Sequence, residues 1–258
     1  MIELGLFVTG IAAGTLGALL GLGGGIFLVP ALTVIYHLPM RIAVGTSLVG
    51  VIATSAGVAA VARRGRGADV GLALRLEATT AAGAILGGWL AGLVSGRLLS
   101  VLFAFVTFGT AGYLLRKARQ LDSTGIQDSL FARHYQISHW PIGLAVAFGA
   151  GMVSGLLGVG GGFIKVPVMY AVMGVPLGVA TATSNFMVGI TAAASVFVYY
   201  GRGDLYPLVV VPTVVGVFLG AVIGVYVLFR LRAAWVRLAL TGLLIVIGMQ
   251  MLFRGLAN

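Results

Sequence analysis

The sequence contains no cysteine and few charged residues, above all few acidic ones. Without cysteine the chain can form no disulfide, no thiolate metal site and no cysteine nucleophile. Charged residues make up 9% of the chain, whereas about a quarter of an ordinary soluble domain is charged. The composition therefore argues against a soluble globular protein.

Motifs of the common enzyme classes are missing as well. The sequence has no GxxxxGK[ST] phosphate loop, no His-Glu-x-x-His zinc motif and no Gly-x-Ser-x-Gly nucleophile elbow. We therefore expect neither an enzyme nor a resident cofactor or metal ion.

Apolar residues and glycine are what the chain has in abundance. Hydrophobic residues make up 60% of it and 41 residues are glycine, which allows close packing of membrane helices. The net charge of +10 comes from basic residues in short loops beside apolar runs, a membrane pattern rather than a nucleic-acid surface. No basic stretch precedes the first apolar run, which argues against a cleaved signal peptide.

Eight apolar regions are long enough to enter or cross a membrane. They cover about 4–38, 43–62, 72–94, 98–115, 140–173, 179–200, 205–229 and 234–252. We expect an all-α polytopic membrane protein with a membrane repeat at 1–117, a cytoplasmic linker at 118–139 and a second membrane repeat at 140–258.

Two glycine-rich segments mark the internal repeat. They read GLGGGIFLVP at 21–30 and GVGGGFIKVP at 158–167. Three glycines favour irregular backbone, so we expect each helix to break there and a new helix to begin at Pro30 or Pro167. Val29 and Val166 are expected to be extended, because residues before proline avoid the helical conformation. Paired broken helices in two halves indicate the binding site of a transporter.

The repeat extends over several spans and leaves two topologies open. Residues 23, 30, 39, 46 and 47 recur 137 positions later, and further matches follow at shorter offsets. If each broken region is a hairpin, the halves are inverted; otherwise they are parallel. The positive-inside rule mildly favours inversion with both termini outside the cytoplasm. Inversion places ten basic residues on one side (63, 64, 66, 116, 117, 119, 133, 230, 232, 237) and four on the other (41, 97, 202, 254).

The doubled GxGGGxxxVP motif, the four-plus-four spans and the basic central loop resemble the TauE/SafE family of sulfite-exporter, or TSUP-type, permeases. The resemblance covers nearly the whole chain. It implies a multi-pass protein of a bacterial or archaeal inner membrane that transports a small anion such as sulfite, sulfoacetate or another sulfonate or carboxylate.

The glycine turns are the predicted binding site. Helix N-termini attract anions through unpaired N–H groups, and glycine lets an oxyanion approach the backbone. The alternative is that the glycines serve only helix packing. The candidate substrate-binding glycines are Gly23, Gly24, Gly25, Gly160, Gly161 and Gly162.

Among single residues, Lys165 is the strongest candidate for binding the anion. It is the only lysine within an apolar region, and Leu28 is its repeat partner. A charge inside the membrane is costly and indicates function, so we expect Lys165 to meet the anion. The alternatives are that its side chain snorkels to an interface or pairs with a helix C-terminus.

Polar residues after the broken regions complete the candidate site. Asn185, whose repeat partner is Leu48, needs a hydrogen-bond partner if it is buried. We expect Thr46 and Thr181 to cap helices, and substrate contact is the alternative for Thr46. The remaining candidates for substrate contact are Ser47, Thr183 and Ser184.

Glu77 is the only acidic residue within a long apolar region. It is a candidate for proton coupling, although we favour an interfacial pair with the nearby Arg75. The coupling ion, proton or sodium, stays open, as does homo-oligomerisation. The alternatives to a secondary transporter are an anion channel and a membrane assembly protein that transports nothing.

Overall fold

The computed structural model describes residues 2–20, 23–61, 68–121, 135, 137–228 and 233–257, and all elements in these ranges are helical. The first half contains α1 Ile2–Leu20, α2 Gly25–Pro30 with a π-helical turn at Ala31–Ile35, α3 Met40–Val61, α4 Val70–Leu93 and α5 Gly96–Leu121. The second half contains α6 Trp140–Leu157, α7 Gly162–Ala171, α8 Leu177–Gly201, α9 Pro207–Leu228 and α10 Ala233–Ala257.

Six described helices, α1, α3, α4, α6, α8 and α9, are long and apolar enough to cross a membrane. Large apolar side chains on these helices, such as Leu74, Phe197 and Leu208, are more than half exposed. An apolar outer surface of this kind is suited to lipid. The prediction of an all-helical membrane protein is therefore confirmed.

The glycine segments break the helices as expected. Gly23 and Gly24 have φ of 84° and 75°, and Gly160 and Gly161 have φ of 83° and 68°. These left-handed values suit glycine, because a side chain would be strained there. Each break reverses the chain direction between two helices, from α1 to α2 and from α6 to α7.

Contacts along both broken regions show that each is a hairpin. The hydroxyl of Tyr36, a residue that follows α2 and its π-helical turn, lies 2.9 Å from the hydroxyl of Thr9 in the first half of α1. In the second half the N–H of Ser138, before α6, donates to the carbonyl of Met173, after α7, at 3.1 Å. Each hairpin therefore begins and ends at the same end of the bundle.

The predicted helix starts at Pro30 and Pro167 are wrong. The helices begin five residues earlier, at Gly25 and Gly162, and Val29 and Val166 are helical. The left-handed glycine sets each helix start, so the proline falls within the helix. A local π turn follows Pro30; such adjustments satisfy the carbonyl groups that a proline leaves free in a membrane helix.

Glycines bring helices of opposite halves into direct backbone contact. A Cβ on Gly14 of α1 would lie 2.2 Å from the carbonyl oxygen of Val217 in α9, and one on Gly10 would lie 2.3 Å from that of Thr213. In the pair α4–α6, a Cβ on Gly155 would lie 2.0 Å from the carbonyl oxygen of Ala84. The first helix of each half thus packs against the fourth helix of the other.

The third helices, α3 and α8, run in opposite directions. Gly45 near the start of α3 lies against Tyr199 near the end of α8. Further along α3, the hydroxyl of Ser55 donates to the carbonyl of Asn185 at 2.9 Å. The fifth helices are also antiparallel, because Gly248 of α10 lies against Phe108 of α5, and the later Gly255 lies against the earlier Val101.

Hydrogen bonds connect the end of the linker to the start of α4. The hydroxyl of Tyr135 donates to the Asp69 carboxylate at 2.5 Å, and Asp69 caps α4 through the N–H of Leu72. Partial burial acts to raise the pKa of Asp69, but these hydrogen bonds, the N–H of Gly71 and the charge of Arg75 together outweigh it, so the pKa is lowered.

Several predicted features lie outside the described residues. They are Gly21 and Leu22 of the first motif, the loop at 62–67, most of the linker and the basic loop at 229–232. The first residues of the predicted linker belong to α5, which ends at Leu121.

Candidate functional site

The two glycine turns touch in the core. A Cβ on Gly25 would lie 2.0 Å from the carbonyl oxygen of Gly158, so only glycine allows this approach. The hydroxyl of Ser47 on α3 donates to the same carbonyl at 2.9 Å. The structure therefore brings together the two predicted glycine segments and Ser47, whose hydroxyl holds the second turn.

Lys165 lies one turn beyond Gly161, inside the protein. Its backbone N–H donates to the carbonyl of Gly161, which fixes the backbone of Lys165 relative to the glycine turn. The residue is 3% exposed, so it does not snorkel to an interface. Its ammonium group donates to the hydroxyl of Thr191 on α8 at 2.7 Å.

Glu77 on α4 completes a buried charged cluster with Lys165 and Thr191. Glu77 is 4% exposed and Thr191 is fully buried. The Thr191 hydroxyl lies 2.7 Å from Oε1 of Glu77, and the Lys165 ammonium lies 3.7 Å from Oε2. The cluster thus joins α4 of the first half to α7 and α8 of the second.

The expected interfacial pair of Glu77 with Arg75 is wrong. The guanidinium of Arg75 lies over the ring of Trp140, 5.5 Å from its centroid. Successive residues on a helix point in different directions, and two positions further on Glu77 points into the core. The carboxylate faces Lys165 because a buried charge needs an opposite charge nearby.

The hydrogen bonds of the charged cluster are incomplete. In the described structure Oε2 of Glu77 has no hydrogen-bond partner, and its distance of 3.7 Å from the ammonium is too long for a hydrogen bond. The Thr191 hydroxyl has a single proton, yet it lies within reach of both Oε1 of Glu77 and the Met187 carbonyl, at 3.0 Å. The cluster can therefore accept another proton.

Asn185 lies at the other glycine turn. It lines a small cavity of about 10 Å³ with Gly23, Thr54 and Ser55. Asn185 belongs to the second half but lies at the glycine turn of the first half. Asn185 and Lys165 therefore lie at different glycine turns.

The other predicted hydroxyls are distributed over several places. Thr183 accepts a hydrogen bond from the N–H of Asp69 at 3.0 Å, at the start of α4. Thr46 and Ser184 are buried, and neither hydroxyl has a hydrogen-bond partner in the described ranges.

The predicted capping roles of Thr46 and Thr181 are wrong. Helix α3 begins at Met40, and α8 begins at Leu177 after Pro176. Both threonines are therefore inside their helices, because these helices begin earlier than the polar residues suggested.

Thr191 was missed by the sequence reasoning, although the repeat contains a signal for it. Thr54 stands 137 positions earlier and its hydroxyl also donates to the carbonyl four residues before it. The symmetry-related place has no charged counterpart: Leu28 in the first half is equivalent to Lys165, and the offset of 133 that relates Gly83 to Gly216 makes Val210 in the second half equivalent to Glu77. Buried charges therefore occur at only one of the two positions that the repeat makes equivalent.

Comparison with known proteins places the chain in a family. The family described as Sulfite exporter TauE/SafE matches residues 6–251. No solved structure matches the chain.

Three named relatives share this similarity. The probable membrane transporter protein YunE of Bacillus subtilis (strain 168) is 30% identical, and the match covers 97% of each chain. Probable membrane transporter protein YdhB of the same organism is 26% identical over 87% of this chain and 88% of its own. Sulfite exporter TauE/SafE family protein 3 of Arabidopsis thaliana is 34% identical over 53% of this chain and 29% of its own.

These matches agree with the apolar helices and the doubled glycine motif. The family is one of membrane transporters and not of enzymes, as the sequence predicted. The chain belongs to the sulfite exporter TauE/SafE family.

Proposed function

We propose that the protein is a secondary transporter for a small organic or sulfur-containing anion, such as sulfite, sulfoacetate or another sulfonate or carboxylate. The observation that carries the proposal is Lys165, a buried cation one helical turn beyond the second helix break. A charge at this depth is costly, and an anionic substrate would offset that cost. Helix α7 begins at Gly162, and the N–H groups of its first turn have no acceptor within the helix.

Alternating access is proposed to arise from two inverted halves. The antiparallel directions of α3 and α8, and of α5 and α10, support inversion, as do the hairpins at both breaks. The basic loops at 62–67, 118–139 and 229–232 then face the cytoplasm. Inverted halves give a transporter two related conformations by exchanging their packing around a central site.

The topology can be tested with one cysteine at a time, because the chain has none. Ser95, between α4 and α5, and Ser138, before α6, are both exposed and lie at opposite ends of the bundle. We expect an impermeant maleimide added to intact cells to label Ser95→Cys, and to label Ser138→Cys only after lysis. Labelling of both on intact cells, or the reverse pattern, would contradict the proposed orientation.

Transport itself is tested with Lys165→Met in proteoliposomes. Methionine fills similar space without charge, so we expect uptake of labelled sulfite and sulfoacetate to fall at least about tenfold, which corresponds to the loss of one charge-assisted interaction. Leu28→Met is the matched control at the equivalent position, where a volume-conserving change is tolerated. Equal uptake by Lys165→Met and the unaltered protein would remove Lys165 from the site.

A further inference from the structure

We infer that Glu77 occupies the place of the anion at Lys165 when no substrate is bound, and that it takes up one proton when a monovalent anion replaces it. One proton then crosses the membrane with each anion. This inference rests on the proposed function, since it assigns the coupling ion to the same site.

Charge balance is the first argument. Lys165 and Glu77 bring one positive and one negative charge into a core where both residues are less than 5% exposed. A bound anion would leave the cluster with a net negative charge, and an uncompensated buried charge is strongly unfavourable. A proton from water added to Glu77 makes the cluster neutral overall again: the protonated carboxyl is uncharged, and the ammonium of Lys165 pairs with the anion.

The hydrogen-bond geometry fits both states. When Glu77 is ionised, Thr191 donates to Oε1 of Glu77 at 2.7 Å. When Glu77 is protonated, it can donate to the Thr191 hydroxyl, which then turns its own proton to the Met187 carbonyl at 3.0 Å. The same heavy-atom positions therefore serve a charged and a neutral carboxyl.

The pair is also loose enough to separate. The ammonium is 3.7 Å from Oε2 of Glu77, and that oxygen has no hydrogen-bond partner in the described structure. A buried carboxylate oxygen left in this way is costly. An anion that accepts hydrogen bonds from the ammonium can therefore compete with Glu77, whereas a tight, fully bonded pair would resist exchange.

No other charged side chain of the described neighbouring helices faces Glu77. Helix α4 packs against α6 and α8, and α6 has no ionisable residue. Those of α8 are Tyr199 and Tyr200. Tyr199 donates to the carbonyl of Gly155 in α6 and lies against Gly88, near the far end of α4; Tyr200 is exposed. On α7 the only other ionisable side chain, Tyr170, is half exposed, and Arg75 is held over Trp140. The proton balance thus depends on Glu77 and Lys165.

The symmetry-related place provides no second proton carrier. Leu28 and Val210 stand at the positions equivalent to Lys165 and Glu77, and Leu28 is buried against Gly50. We therefore expect one proton for each monovalent anion, and no net charge movement.

The test uses the purified chain in proteoliposomes with methanesulfonate and isethionate. Both stay singly charged throughout the assay, so a proton cannot cross as part of the substrate. With the outside one pH unit more acidic, we expect accumulation inside to approach about tenfold at equilibrium, since each pH unit is a tenfold ratio of proton activity. A potassium diffusion potential should leave this ratio unchanged, and replacement of sodium by choline should leave it unchanged as well.

Glu77→Gln separates coupling from transport. Glutamine resembles the protonated carboxyl, so the variant should exchange labelled for unlabelled methanesulfonate yet show no accumulation in a pH gradient. Its affinity for the anion should not vary with pH, whereas that of the unaltered protein should fall as pH rises. Glu3→Gln, an exposed acidic residue at the start of α1, is the matched control and should keep full coupling.

Distinct outcomes bear on the two proposals. If the unaltered protein takes up none of the four anions (methanesulfonate, isethionate, sulfite and sulfoacetate), the transport function is contradicted, and the coupling with it. Uptake that reaches the same level with and without the pH gradient, or that requires sodium, overturns the proton coupling alone. Full accumulation by Glu77→Gln would show that another group carries the proton. The measurement on the unaltered protein decides the coupling even if that variant fails to fold.

Discussion

Removing one charge of the Lys165–Glu77 pair is expected to destabilise the protein by about 3–5 kcal/mol, whereas removing both should cost far less. Both side chains are almost fully buried. Lys165→Met leaves the carboxylate of Glu77 without its cation, and Glu77→Gln leaves the ammonium without its anion. The double variant leaves no buried charge, so the two losses should not add.

Denaturation of the four proteins in the same detergent at neutral pH measures this coupling. Additive losses would show that the two charges do not stabilise each other in the folded protein. Asp204→Asn is a control, because the Arg202–Asp204 pair is partly exposed and such pairs contribute about 1 kcal/mol or less. Added anion should restore part of the stability of Glu77→Gln, whose ammonium is free to bind it, and none to Lys165→Met.

Local sequence chemistry is sufficient to locate the helix breaks. Consecutive glycines weaken a continuous helix and readily adopt left-handed backbone, so in a long apolar run they indicate a break. The structure has left-handed backbone at Gly23, Gly24, Gly160 and Gly161. The prolines misled the prediction because the preference before proline is weak compared with the need to pair backbone groups in the membrane. A helix already begun at Gly25 or Gly162 continues through the proline.

The charged cluster could be predicted only in part. Lys165 and Glu77 each stand out in the sequence because intramembrane charge is rare, and their opposite signs could have suggested a pair. Their contact, however, depends on how α4 and α7 both pack against α8, which local patterns do not encode. Thr191 belongs to the cluster through the same packing, and a threonine in an apolar helix gives little signal by itself.

The backbone contact between the glycine turns is expected to fail when Gly25 is replaced by alanine. The new methyl carbon would lie 2.0 Å from the Gly158 carbonyl oxygen and 2.8 Å from the hydroxyl of Ser47, far inside van der Waals contact. Because the first of these atoms belongs to the backbone, the hairpins themselves must move apart. We expect a loss of about 3 kcal/mol, at the upper end for an overpacked site.

Gly149→Ala is the matched control for Gly25→Ala, because a Cβ on Gly149 in α6 would meet no heavy atom within 4 Å. Alanine there should leave stability unchanged or raise it by up to about 1 kcal/mol, since it favours a helix over glycine. Thermal denaturation in detergent compares the two variants, and uptake by the folded fraction follows. Because Ser47 holds the same carbonyl, separation of the turns would also shift α7, and with it Lys165, so we expect Gly25→Ala to lose transport even where it folds. Equal melting temperatures for the two variants would mean that the close approach of the turns is not required.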